Sequence, residues 1–299
     1  MLGKLKEIFG PGGSSPSKGP RRRENLQRRF VIISETSRGS MSRVYRAVDN
    51  QSGRTVCLKI QTRDKNEAAT ARASTHEARP LEGEMAMKLV HPHIVRSLEY
   101  GTSTKGEHFL VMEYIDGVSL QFVREAGSAR TAEKVELLAQ AAEGLAGVHS
   151  AGFIHHDINP RNFLVDREQQ VKLIDFGLTV PNTPAFRRPG NRTGTLDYMA
   201  PELLRREPID ERIDVFAFGV VAFEFLTNRL PYDATNATTM MLQRINSEPL
   251  DAASIKPALS AELCDILRQL TARRKDQRWP ALKTLPDALR SIPVKRKRA

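Results

Sequence analysis

His155-His156-Asp157-Ile158-Asn159-Pro160-Arg161-Asn162 is the most informative stretch of this chain. Val56-Cys57-Leu58-Lys59-Ile60 precedes it, and Asp175-Phe176-Gly177 and Ala200-Pro201-Glu202 follow. Each short run alone occurs by chance in unrelated chains; the four in this order do not. Upstream of the stretch the periodicity is that of strands: Phe30 to Ile33, Val44 to Val48, Val56 to Ile60, Ile94 to Leu98 and Phe109 to Met112, with Asn50-Gln51-Ser52-Gly53 as a hairpin link. One helical pattern interrupts them near residues 76–90. From about residue 117 the period becomes helical, and Val135, Leu138, Ala142, Leu145 and Val148 form one stripe of a helix over 132–149. The fold class is therefore α+β, a small antiparallel sheet lobe with one main helix followed by a larger, mainly helical lobe. Tyr114 to Gly117 joins the two, which places a cleft, and the chemistry, between them.

The 299 residues, 40% of them hydrophobic, suffice for such a core. The formal charge of +11 belongs to the ends. Residues 1–29 hold eight Lys or Arg against two Glu, residues 290–299 hold five and no acid, and residues 30–289 balance at 33 of each sign. High basicity thus gives no reason to expect a nucleic-acid-binding body, and no specific nucleic acid is expected as a partner. The run Pro11-Gly12-Gly13-Ser14-Ser15-Pro16-Ser17-Lys18-Gly19-Pro20-Arg21-Arg22-Arg23 predicts a disordered basic tail over 1–29. Leu2, Leu5 and Ile8, with Phe9 beside them and Lys4 and Lys6 nearby, give that tail a weak face for an acidic membrane surface or partner. A second basic tail covers 291–299, where Lys295-Arg296-Lys297-Arg298 reads as a frayed, solvated end. Cys57 and Cys264 form no disulfide framework or metal spacing and read as small buried hydrophobes in a reduced, cytoplasmic protein. Val215 to Leu226 is too short to span a bilayer and contains Glu224, so it reads as a buried core helix. Met1 to Gly10 lacks the uninterrupted apolar run of a secretory leader.

The ordered motifs resemble the eukaryotic-type, bacterial-like serine/threonine protein kinase catalytic domain, over roughly residues 30–290. The resemblance implies a bilobal protein kinase-like fold, with an N-terminal lobe at 30–115 and a C-terminal lobe at 116–290. It implies Mg-ATP-dependent transfer of the γ-phosphate to Ser or Thr hydroxyls of a protein substrate, with Mn2+ as an alternative to Mg2+, by a monomer or transient dimer. Asp157 matches the residue that orients the acceptor hydroxyl and takes its proton, while Asn162 and Asp175 match the metal ligands. Lys59 matches the lysine that contacts the α- and β-phosphates and pairs with a helix glutamate. Counting back from His91-Pro92-His93 gives Glu82 as that partner, with Glu84 and Glu77 as rivals. Ser37, Gly39 and Ser42 stand at the three glycine slots of the phosphate-covering loop, so that serine narrows its backbone freedom at two of them. Val44 and Leu164 would sandwich the adenine, Met112 would gate the back of its pocket, and Glu113 and Ile115 would offer main-chain groups to its edge.

Two further positions depart from the family pattern. His156 stands where most members carry the Arg that reads an activation-segment phosphate, which argues against a phosphorylation switch despite Thr179, Thr183 and Thr193 beside Arg187, Arg188 and Arg192. Asn159 replaces the Lys that balances the transferred phosphate, and Arg161 stands where one class of tyrosine-specific members has an arginine. Thr195 matches the threonine that bonds near the catalytic aspartate in Ser/Thr members. Tyrosine or dual specificity and a binding-only pseudokinase are the alternatives. Glu202–Arg278 and Asp214 are expected as scaffold contacts, the latter accepting N–H groups of the catalytic loop.

Overall fold

A bend of the chain at Asn25, whose side chain accepts the Arg28 N–H at 3.2 Å, starts α1 (Leu26–Arg29), which leads directly into the first strand. The computed structural model describes residues 23–38, 42–61, 79–189, 193–233 and 236–293. Five strands form one sheet: β1 (Phe30–Arg38), β2 (Ser42–Asp49), β3 (Arg54–Gln61), β4 (Ser97–Thr102) and β5 (His108–Glu113). Their spatial order is β1-β2-β3-β5-β4, with every neighbour antiparallel. Asn50 to Gly53 turns the chain from β2 to β3, as the sequence predicts, with Gly53 in the left-handed region at φ +69°. Between β3 and β4 lies α2 (Glu82–Ala86), shorter than the helix expected near 76–90: residues 79–81 and 87–90 are not helical, and 76–78 lie outside the described residues.

The helical part carries β6 (Gly117–Ser119), α3 (Leu120–Ala126), α4 (Thr131–Ser150), β7 (Phe153–Ile154), β8 (Phe163–Asp166), β9 (Val171–Leu173) and β10 (Val180–Pro181). It continues through α5 (Pro201–Arg205), α6 (Arg212–Thr227), α7 (Ala237–Asn246), α8 (Ala252–Ile255), α9 (Ala261–Leu270) and α10 (Leu285–Ser291). The stripe Val135, Leu138, Ala142, Leu145 and Val148 is buried along α4. α6 is buried along its length from Ile213 to Thr227, and so reads as the core helix its composition predicts. Gly219 allows the close approach of α9, for a Cβ there would stand 2.7 Å from that of Leu270. Among the described residues no helix is long and apolar enough to cross a membrane.

Two expectations need correction. The run Ile94 to Leu98 is not one strand: Ile94 bridges Leu173 and the Val95 N–H donates to Leu173 O at 3.0 Å, so its apolar half docks on β9 while β4 begins at Ser97. Cys57 and Cys264 are free but only partly buried.

Candidate active site

Strand period and helix position bring the first cluster together. Lys59 on β3 points from the sheet toward α2, and its Nζ donates to Glu82 Oε1 at 2.6 Å and to Asp175 Oδ1 at 2.7 Å. Glu84 faces elsewhere, its carboxylate accepting the Leu81 N–H at 3.3 Å and so capping its own helix. Burial alone would depress the Lys59 ammonium, but the two carboxylates outweigh it and hold the amine protonated above its ordinary range. Burial likewise works to raise Asp175, yet Lys59 and the Gly177 N–H at 3.0 Å hold its carboxyl down to about 2. Two carboxylates thus share one ammonium, so this trio carries one net negative charge. Gln61 was not singled out by the sequence reading. It stands two residues after Lys59, hence on the same face of the strand, and its Nε2 donates to Glu82 Oε2 at 2.8 Å.

The second cluster is the loop 155–162. Asp214, 1% exposed, accepts the His155 N–H at 2.7 Å and the His156 N–H at 2.9 Å, with His149 Nε2 at 2.9 Å from the same carboxylate. Burial acts to raise this carboxyl, but the His149 contact keeps it below its ordinary value. Held this way, the loop adopts φ +69° at His156, a left-handed conformation uncommon for a residue with a Cβ, and Asp175 has φ +64°. Asp157 Oδ1 accepts both the Thr195 N–H at 2.9 Å and its hydroxyl at 2.8 Å, while Oδ2 lies 3.3 Å from Asn162 Nδ2. Gly194 makes the approach of Thr195 possible. It sits at φ +110°, and a Cβ there would come within 2.6 Å of His156 O. The Ile174 N–H donates to Asn162 O at 2.8 Å, which sets Asn162 beside Asp175.

The remaining positions fall around these clusters. Asn159 is 5% exposed and its amide is spent on the loop and on Thr195, with Nδ2 3.2 Å from Asp157 O and 3.4 Å from Thr195 Oγ1, and Oδ1 accepting the Arg161 N–H at 3.0 Å. Arg161 is exposed and directs Nε to Gln121 Oε1 at 2.7 Å on α3. Val44 pairs with Lys59 across β2 and β3, and Ser42 pairs with Gln61. Ser37 pairs with Val44 through the backbone, whereas Gly39 lies outside the described residues. Met112, 7% exposed, is paired with Cys57 and Ser97. The Glu113 carboxylate accepts Lys172 Nζ at 3.1 Å from β9, tying the end of β5 to the helical part; Ile115 packs on the main core, and Leu164 is half-buried on β8.

His156 is the departure with the clearest structural counterpart. Neither ring nitrogen has a hydrogen-bond partner, and burial pushes its pKa down, so the imidazole stays neutral. Thr179 is fully buried with an unpartnered hydroxyl, and the Thr183 hydroxyl is buried too, so neither is presented as a phosphate acceptor in this arrangement. Thr193 is half-buried and Arg192 lies outside the described residues, as does Glu77. Arg278 grips Glu202 with two donors, at 2.6 and 2.8 Å.

Residues 30–288 match the protein kinase domain family, which acts with ATP and a divalent metal ion on protein substrates. The chain is 30% identical over 255 residues to the probable serine/threonine-protein kinase pknA2 of Bifidobacterium longum, covering 85% of this chain and 33% of that protein. It is 31% identical over 274 residues to the serine/threonine-protein kinase pkn2 of Myxococcus xanthus (88% and 32%), and 28% identical over 259 residues to PrkC of Bacillus subtilis (86% and 39%). The chain therefore spans a third to two-fifths of the length of these curated relatives. With the two-part fold and the motif residues gathered at one cleft, this chain belongs to the protein kinase domain family and has its bilobal fold.

Proposed function

We propose that this chain transfers the γ-phosphate of ATP to serine or threonine hydroxyls of proteins, with a sheet-bearing lobe at 30–115 and a helical lobe at 116–290. The observation that carries the reading is the double donation of Thr195 to Asp157 Oδ1, which fixes one carboxylate oxygen and turns the group toward the cleft. Asp157 then receives the acceptor hydroxyl and takes its proton as the hydroxyl oxygen bonds to the γ-phosphorus and the bond to the β–γ bridging oxygen breaks, ADP leaving with that oxygen. Lys59, oriented by Glu82, neutralises the α- and β-phosphates. Ser37, Gly39 and Ser42 cover them. Val44, Met112, Glu113, Ile115 and Leu164 hold the adenine.

Asn162 and Asp175 would hold the divalent cation. Their donors suit a hard ion: Asp175 is ionised down to about pH 2, and Asn162 gives its amide nitrogen to Asp157 O at 2.8 Å, which leaves its carbonyl oxygen for a ligand. Mg2+, or Mn2+ in its place, supplies charge neutralisation of the phosphates when bound. Asn159 holds the loop and adds no charge, so the guanidinium of the loop 155–162 is that of Arg161.

The serine/threonine kinase names of the relatives and the Thr195 contact favour Ser/Thr over tyrosine. Two free cysteines accord with a reducing, cytoplasmic setting, and the charge-balanced body with a monomer or transient dimer whose basic tails touch acidic partners or membrane surface. The test is transfer of labelled γ-phosphate to the chain itself and to a basic protein, followed by acid hydrolysis. Phosphoserine and phosphothreonine that vanish in Asp157→Ala are expected. Phosphotyrosine as the main product would overturn the specificity, and no transfer at all would overturn the activity.

A further inference from the structure

Arg79, three residues before Glu82, reaches out of its own lobe. Its Nε donates to Thr179 O at 2.9 Å and its Nη2 to Gly177 O at 2.6 Å, across 98 to 100 residues of chain. Among the described residues no carboxylate forms an ion pair with it. Its pKa is pushed down by loss of water around the guanidinium, against the pull of Glu82, so this charge is spent on two main-chain carbonyls. Gly177 is gripped from both sides: its C=O accepts from Arg79, and its N–H donates to Asp175 Oδ1 at 3.0 Å. A shift of α2 would therefore move Glu82 and the Gly177 carbonyl together. The far end of the same segment is held in a similar way. Arg244, fully buried on α7, donates to the carbonyls of Leu196, Asp197 (2.7 Å) and Met199 (3.3 Å).

We infer that Arg79 is a positioning residue that locks the segment following Asp175 against the helix carrying Glu82. It does so through main-chain carbonyls, so the lock needs no phosphate on the segment. Two observations on the segment agree. The Thr179 hydroxyl is buried where phosphate cannot be added without opening the clamp, and His156, within electrostatic reach of Arg79, is neutral and carries no charge for a phosphate to meet. A guanidinium suits the task because its planar fork reaches two carbonyls at once, which an ammonium on a flexible stem does less well.

The kinetic arm of the test rests on the phosphotransfer reading above; the exchange arm does not. The full chain, freed of phosphate by phosphatase, is compared as parent, Arg79→Gln and Arg79→Lys. Amide hydrogen exchange read by mass spectrometry should rise at least about tenfold across Gly177–Thr179 in Arg79→Gln and stay unchanged across Arg212–Thr227. Its kcat should fall about thirtyfold, the size of one lost charge-assisted hydrogen bond, with KM for ATP within about threefold. Arg79→Lys should fall between parent and Arg79→Gln in both readouts. Unchanged exchange at Gly177–Thr179 in both variants would overturn the clamp, as would raised exchange with kcat within about threefold of the parent. Exchange that rises throughout the chain in both variants would make Arg79 a general stabiliser and sink the proposal. A parent that transfers no phosphate counts against the activity alone, and the exchange result still decides the clamp.

Discussion

At Glu202, Arg278 sends two donors to the carboxylate and its remaining reach to Ala272 O at 2.8 Å, Arg212 O at 2.9 Å and Arg273 O at 3.2 Å. At Glu82, Lys59 also makes a 2.6 Å contact, but its ammonium is divided between that carboxylate and Asp175, whose side chain remains 46% exposed. Both glutamates and both cations are buried. The first pair is closed, with equal charges and a saturated donor fork, and it joins α5 to the chain after α9. The second is open, with one negative charge in excess and one member facing solvent. A closed pair can only hold structure. An open one can exchange a partner for a phosphate or a metal ion and still leave every charge answered.

That contrast is most exposed at Arg278. Arg278→Leu should cost about 3–5 kcal/mol in chemical denaturation, because Glu202 is then buried unpaired, and Glu202→Leu added to it should recover much of the loss. A cost under about 1 kcal/mol would show that the pair is not closed in this sense. On the open side the next largest effect is on rate. Asp157→Ala should lose at least about a hundredfold in transfer with nucleotide affinity retained, whereas Asp175→Ala should weaken metal–ATP binding itself. Steady-state transfer with equilibrium ATP titration separates the two, and full activity in Asp157→Ala would remove its role.

Glu82→Gln should lower transfer about tenfold, since the amide keeps the shape but gives Lys59 a weaker acceptor. Glu84→Gln weakens a helix cap on the Leu81 N–H and should cost less; the reverse order would reassign the partner. At His156 the effect is on stability and its sign follows from the depressed pKa. The unfolded chain takes up a proton near the ordinary value of 6.5 that the folded chain refuses, so stability is full above that pH and falls as pH drops below it. His156→Asn, which tolerates the left-handed backbone, should flatten the acid limb by up to about 1.4 kcal/mol per pH unit. An identical limb in parent and variant would place the uptake elsewhere, with the more deeply buried His155 next in line. Smallest of all, Thr179, Thr183 and Thr193 replaced together by Ala should keep transfer within about threefold; a tenfold fall that phosphatase reproduces in the parent would mean the segment is a switch.

The strands of the sheet were legible because β2, β3 and β5 carry β-branched and aromatic runs long enough to show a period. Glu82 was legible from its distance to His91-Pro92-His93, and the structure separates it from Glu84 by giving the latter a cap to make. The short strands β6 to β10 were not, since two to four residues carry no period. Ile94-Val95 misled because an apolar pair docking on β9 is written in the same letters as a strand. Arg79 and Arg244 left no trace in the sequence, as an arginine that donates to backbone carbonyls needs no particular residue opposite. The unread role of Asn159 is of the same kind: its loss of charge was visible, its contacts with Asp157 O, Thr195 Oγ1 and the Arg161 N–H were not.

The carboxylate that sets the catalytic loop, Asp214, lies 58 to 59 residues after the amides it holds. In terms of synthesis on a ribosome, the loop is made well before its anchor, and until α6 has emerged the backbone N–H groups of His155 and His156 are without the carboxylate that holds them. The chain then closes the contact late, at the entropy cost of a long loop. A nascent chain that already carries Lys59, Asp157, Asn162 and Asp175 thus gains the arrangement they have at the cleft only once the helical core is in place.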